Sequence, residues 1–120
     1  MAHDPRHDLL EAFHAAVASV GGRGRTRDWL RAHPLTMPVH LIAFGKAACA
    51  MAHGAHETLG DRILGGLVIT KHGSGEPLPW PVLESGHPMP DEASLKAGAS
   101  LIKFAKSIPQ DAQVLVLLSG

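Results

Sequence analysis

Val39-His40-Leu41-Ile42-Ala43-Phe44-Gly45-Lys46-Ala47-Ala48-Cys49-Ala50-Met51 is the stretch on which the reading of this chain turns. An apolar run stops at Gly45, Lys46 follows, and small residues that favour a helix come next. The pattern predicts a buried strand over Val39 to Phe44, a tight turn, and a helix opening at Lys46 and running to about Leu59, where Gly60 stops it. A helix start carries partial positive charge and unpaired N–H groups, so it suits an anion and disfavours an unpaired lysine. Lys46 at that place points to a negatively charged ligand, a phosphate or a carboxylate, held between the side chain and the backbone. The alternative is a surface lysine near a helix start, since opposition to the helix dipole costs only about 0.3–1 kcal/mol.

Working outward, Asp4-Pro5 begins a first helix, with Leu9, Phe13, Val17 and Val20 on one face and Gly21-Gly22 ending it. Arg23 to Arg31 reads as a basic connection with a short helix around Trp29. Pro34 and Pro38 bracket a loop. After the central helix, Leu67 to Thr70 is a second strand, Lys71 to Pro81 a Pro- and Gly-rich loop in which Trp80 serves as an anchor, and Val82 to Glu84 a third strand. Asp91 caps a helix from Glu92 to about Ser107 that places Leu95, Ile102 and Ala105 on one face. Val114 to Leu118 is a fourth strand, apolar on both faces and therefore expected at the centre of a sheet. Strands alternating with helices predict an α/β layer fold with a mainly parallel sheet and flanking helices, Rossmann-like in kind. The unit from Val39 to Thr70 is expected to be a right-handed βαβ crossover. Because a central-looking strand is the last element, the chain reads as the N-terminal piece of a larger domain, to be completed by a further C-terminal region or a second chain.

Composition narrows the functional classes. The chain has 120 residues, enough for one domain, and Lys plus Arg and Asp plus Glu each number 11. A neutral balance and 4% aromatics argue against a nucleic-acid partner or an anionic membrane. No apolar run reaches the roughly 20 residues of a membrane span, and the acidic, His-rich start does not resemble a signal peptide. The single Cys49 excludes an internal disulfide framework and fits a reducing, cytoplasmic setting. Its Ala and Met neighbours make it a small buried hydrophobe rather than an activated thiolate. The chain has nine His, but no H-E-x-x-H or Cys/His zinc spacing, so no metal ligands are assigned.

Four polar clusters follow the C-terminal ends of the predicted strands: Gly45-Lys46, Thr70-Lys71-His72, Ser85-Gly86-His87 and Ser119-Gly120. In open α/β sheets ligands bind at that edge, so the coincidence marks a candidate site. Lys46 is the candidate catalytic or anion-binding lysine; Lys71 and His72 are either ligand-facing or simply solvated. His87 is followed by Pro88 and Pro90, which fix the backbone behind it; a loop histidine bonded to backbone is the alternative. Asp91 and Glu92 read as capping residues rather than catalytic carboxylates. Gly45-Lys46 is not a Walker A loop, which would require Gly at position 40 and Ser or Thr at position 47. A G-x-G-x-x-G dinucleotide fingerprint is missing as well.

Those same segments carry a resemblance. L-I-A-F-G-K-A-A-C-A-M (41–51), G-L-V-I-T-K-H-G (66–73), V-L-E-S-G-H-P-M-P-D-E-A-S (82–94) and V-L-V-L-L-S-G (114–120) stand in an order and spacing that resembles the N-terminal part of the bacterial and archaeal glycerate 2-kinases. That family carries an additional C-terminal MOFRL domain, and some members have been labelled hydroxypyruvate reductases. The resemblance implies ATP-dependent phosphorylation of D-glycerate at the 2-hydroxyl, with Mg²⁺. It implies substrate binding and catalysis for Lys46, a cleft-facing loop for Ser85, Gly86 and His87, and the opening of a phosphate-holding loop for Ser119 and Gly120. The chain departs from the T-K-x-G-H pattern at Ser74. The resemblance also implies that the rest of the phosphate loop and the MOFRL domain lie outside this sequence, so the 120-residue chain is expected to be inactive alone. An NAD(P)-dependent hydroxypyruvate reductase, or a non-catalytic truncated remnant, is the alternative.

Overall fold

The computed structural model describes residues 21–86 and 91–119. The first predicted helix, His87 and Gly120 lie outside the described residues. Helix α1 spans Gly22–Ala32, strand β1 Val39–Phe44, helix α2 Ala48–Leu59, a single 3₁₀ turn Gly60–Arg62, strand β2 Ile63–Lys71, strand β3 Val82–Ser85, helix α3 Glu92–Ser107 and strand β4 Gln113–Leu118. All strand pairings are parallel, and the order across the sheet is β3-β2-β1-β4.

That order follows from the connections. The chain advances from β1 to β2 to β3, then returns to the other side of β1. Crossovers of one hand made in opposite directions send their helices to opposite faces of a sheet. The packing agrees. Ala48, Ala52, Ala55 and Leu59 of α2 share one buried cluster with Leu41 and Ala43. Ala97 of α3 lies in another with Leu67 and Ile69. Strand β1 feeds both layers because successive side chains alternate between faces. The small side chains of α2 bring its axis close to the sheet. Helix α1 then packs on α2 across Gly54, where a Cβ would collide with the Arg23 carbonyl. Glu57 ties the two helices by pairing with Arg23, which holds its carboxyl below the usual range. The loop between β2 and β3 contains no helix; Trp80 closes that part of the α2 face, edge-on to His56 at 5.5 Å.

Four local readings are corrected. Helix α2 begins at Ala48 rather than Lys46, with Ala47 as its N-cap, so Lys46 belongs to the turn. The Arg23–Arg31 connection is not a short helix around Trp29 but most of α1, because Gly21 adopts φ 76° and opens the helix there while Thr26 and Leu30 find cover. Strand β4 lies at an edge of the four described strands. Its Leu115 and Leu117 are buried, but Val114, Val116 and Leu118 on its other face are only half-buried, because α3 packs chiefly over β2 and β3. In α3 the inward face carries Ala97, Leu101 and Phe104, whereas Leu95 and Ile102 are 77% and 57% exposed.

Candidate functional site

At the carboxyl edge of the sheet the register places Phe44 level with both Ile69 and Leu118, so Gly45, Thr70 and Ser119 stand side by side there. Ser85 pairs with Lys71 one step further along. The four strand ends therefore converge on a single edge. Strand order reverses between β1 and β4, which is where an α/β sheet opens a crevice.

The turn after β1 depends on what stands beside it. Gly45 has φ 107°, and a Cβ there would run into the carbonyl oxygen and hydroxyl of Ser119. Glycine is the residue that allows both the backbone conformation and this approach. The Gly45 N–H donates to the Ile69 carbonyl at 3.0 Å, and Ser119 N–H donates to the Phe44 carbonyl at 2.9 Å. Thr70, 2% exposed, donates its hydroxyl to the Gly45 carbonyl at 2.9 Å. Helix α2 has no capping side chain of its own. Ser119 takes that role from the neighbouring strand: its hydroxyl accepts from Ala47 N–H at 2.9 Å and donates toward the Phe44 carbonyl at 3.4 Å. The first turn of α2 is thus fixed by residues from three strand ends, and the Ser119 hydroxyl is already engaged.

A cavity of about 390 Å³ opens beside this turn. It lies on the α3 side of the sheet, with Thr70, Lys71, Ser85, Gly86, Ser94 and Gly98 among its lining. The proposed site residues Gly45, Lys71, Ser85, Gly86 and Ser119 all border it. Lys46 does not line it; its side chain is exposed on the turn that follows Gly45. His72 points instead into a second cluster. Its Nε2 lies 2.8 Å from Asp91 Oδ2, and its Nδ1 lies 3.9 Å from Glu84 Oε1.

Asp91 is a helix cap, as the sequence indicates, and forms a capping box with Ser94. Its Oδ1 accepts from Ser94 N–H at 3.0 Å and from Gly86 N–H at 3.1 Å. The His72 hydrogen bond, reinforced by those backbone donors, holds its carboxyl at about 2. Glu84 accepts from the N–H groups of Gly73 and Gly75 at 3.2 and 3.0 Å. Sequence reasoning placed Thr70 in one of the polar clusters but missed its hydroxyl's bond to the Gly45 carbonyl, Glu84 and the His72 partnership. The D-x-x-S box at Asp91–Ser94 was a legible signal, but nothing local links His72 to a residue 19 positions away. Cys49 is buried and free, and burial pushes its thiol up. Among the described residues there is no group of three or more His, Cys, Asp or Glu able to hold a metal ion.

Comparison with known proteins adds a lineage. The family described as "Domain of unknown function (DUF4147)" matches residues 8–120. A D-glycerate 2-kinase of Thermotoga maritima is 42% identical over 84 residues, covering 68% of this chain and 20% of the relative. A putative hydroxypyruvate reductase of Agrobacterium vitis is 34% identical over 116 residues, covering 96% of this chain and 26% of the relative. The crystal structure of a glycerate kinase from Thermotoga maritima superposes with a TM-score of 0.77 at 34% identity, over 95% of this chain and 27% of that one. The chain thus spans about a fifth to a quarter of the length of the curated relatives it matches.

Proposed function

The chain belongs to the DUF4147 family, and from that premise we propose that it supplies the carboxyl-edge half of a site that phosphorylates D-glycerate at its 2-hydroxyl, with ATP as donor. The observation that carries this reading is the convergence of Gly45, Thr70, Lys71, Ser85 and Ser119 on one crevice, with Lys46 on the adjoining turn. In the reaction the 2-hydroxyl oxygen forms a bond to the γ-phosphorus. The bond from that phosphorus to the β–γ bridging oxygen breaks, ADP leaves, and the hydroxyl proton is released. Such transfer depends on positioning and on cations around the shifting charge rather than on covalent chemistry by the protein.

Lys46 and Lys71 are the cations this chain brings to that edge. We assign Lys46 to the anionic substrate or phosphoryl group, with Lys71 nearby, and the backbone of Ser85 and Gly86 to substrate contact. Ser119 contributes by holding the turn that presents Lys46. Mg²⁺ would serve by neutralising the ATP phosphates, and no ligand to it is assigned among the described residues.

The test has two arms. Titration of the ¹⁵N-labelled chain with D-glycerate should shift the amides of Gly45, Lys46 and Gly86 selectively. ADP release should be measured with D-glycerate, ATP and Mg²⁺ for this chain and for a version extended as far as its relatives. Activity confined to the extended version supports the reading. Absence of both binding and turnover sinks it. The name of the Agrobacterium vitis relative favours a second reading, reduction of hydroxypyruvate. Hydroxypyruvate-dependent oxidation of NAD(P)H by the extended version would support that one instead, although the Gly45 turn lacks a dinucleotide fingerprint.

A further inference from the structure

We propose that His72 is a positioning residue that clamps the loop leaving β2 to the loop leaving β3, and so fixes the Ser85–Gly86 wall of the crevice. The proposal rests on reading that crevice as the substrate site. His72 is held at both ends. Its backbone N–H donates to the Ser85 carbonyl at 3.1 Å, and its ring bridges toward Asp91 on one side and Glu84 on the other. Each carboxylate in turn holds backbone. Asp91 receives Gly86 N–H, and Glu84 receives the N–H groups of Gly73 and Gly75. The ring thus joins two carboxylates whose remaining hydrogen bonds hold the backbone at Gly73, Gly75 and Gly86.

The three side chains are all exposed, at 53%, 40% and 44%. Exposed ion pairs contribute little to global stability. The capping box of α3 is made by Asp91 and Ser94 and does not use His72. The consequence of the clamp is therefore local: it orients the Asp91 carboxylate toward Gly86 N–H and restrains the backbone beside Ser85. Asp91 from the start of α3 and Glu84 from β3 are the charged groups facing the ring, with Lys71 its neighbour in its own loop.

The test uses the full chain as wild type, His72→Ala and His72→Gln, with amide exchange read by NMR. Amides of Leu41 and Val68 report whether the core is intact. In His72→Ala the Gly86 amide should exchange about two- to fivefold faster, the size set by an exposed charged pair. His72→Gln, which keeps a donor able to reach Asp91, should restore protection. D-Glycerate added to each form should bind about two- to fivefold more weakly only in His72→Ala. If wild type binds no D-glycerate, the kinase reading fails while Gly86 exchange still decides the clamp. Equal Gly86 protection in wild type and His72→Ala, or failure of His72→Gln to restore it, overturns the proposal.

Discussion

Gly45, Ser119 and Lys46 occupy one turn and carry three different burdens. Gly45 meets a steric demand twice over, from its φ of 107° and from the Ser119 backbone against it. Gly45→Ala should destabilise the chain by at least about 2 kcal/mol in urea unfolding, because strain and overlap add. Ser119 acts as a cap delivered from another strand. Ser119→Ala leaves Ala47 N–H without its acceptor and should cost about 1 kcal/mol in the same measurement. Lys46 is exposed on its turn. Lys46→Ala should leave stability within about 0.5 kcal/mol of wild type while weakening D-glycerate binding. Unchanged D-glycerate titration in that variant would remove Lys46 from the proposed site.

Helix α3 shows how one element can be found correctly and oriented wrongly. Asp91 and Ser94 mark its start in the sequence. The sequence puts Leu95, Ile102 and Ala105 on one face, yet the sheet accepts Ala97, Leu101 and Phe104 and leaves Leu95 and Ile102 exposed. Which of several apolar side chains turn inward depends on where the helix axis passes over the sheet, and hydrophobicity does not report that. The cap makes a titration testable. Asp91 titrates at about 2 in the folded chain against 3.8 ordinarily. A depressed carboxyl stabilises the fold fully above its unfolded value, and the gain is lost as pH falls through the folded one. Asp91→Asn keeps a capping oxygen but no charge. Its unfolding free energy should therefore lack the part of the decline that wild type shows between about pH 4 and pH 2. Superimposable pH curves for the two proteins would rule the coupling out.

At the scale of the molecule, the described residues cover the two faces of the sheet unequally. Helix α2, α1 behind it and Trp80 close one face, whereas α3 sits mainly over β2 and β3 on the other. The half-buried Val114, Val116 and Leu118, the β4 edge and the exposed Leu95 and Ile102 leave apolar surface open to association. Open strand edges and contiguous apolar patches favour self-association. Sedimentation of this chain should show concentration-dependent association that Val116→Lys and Ile102→Lys shift toward monomer. A monomer at every concentration would show that this surface is not adhesive. Among the described residues no helix is long and apolar enough to cross a membrane.

What the sequence determined by itself was local or periodic. The β1–turn–α2 unit, the parallel α/β class, the Asp91 cap, the burial of Cys49 and the edge at which the polar clusters meet all follow from residue order, because strand period, cap chemistry and the crossover rule act over short spans. The resemblance to glycerate 2-kinases was legible in the same segments. Tertiary structure alone decided the rest. It turned α3 onto Ala97, Leu101 and Phe104, gave α2 its cap from Ser119 and set His72 against Asp91. Each of these depends on which backbone lies beside which. Two residues 72 positions apart, as Ala47 and Ser119 are, meet only after the sheet has been ordered.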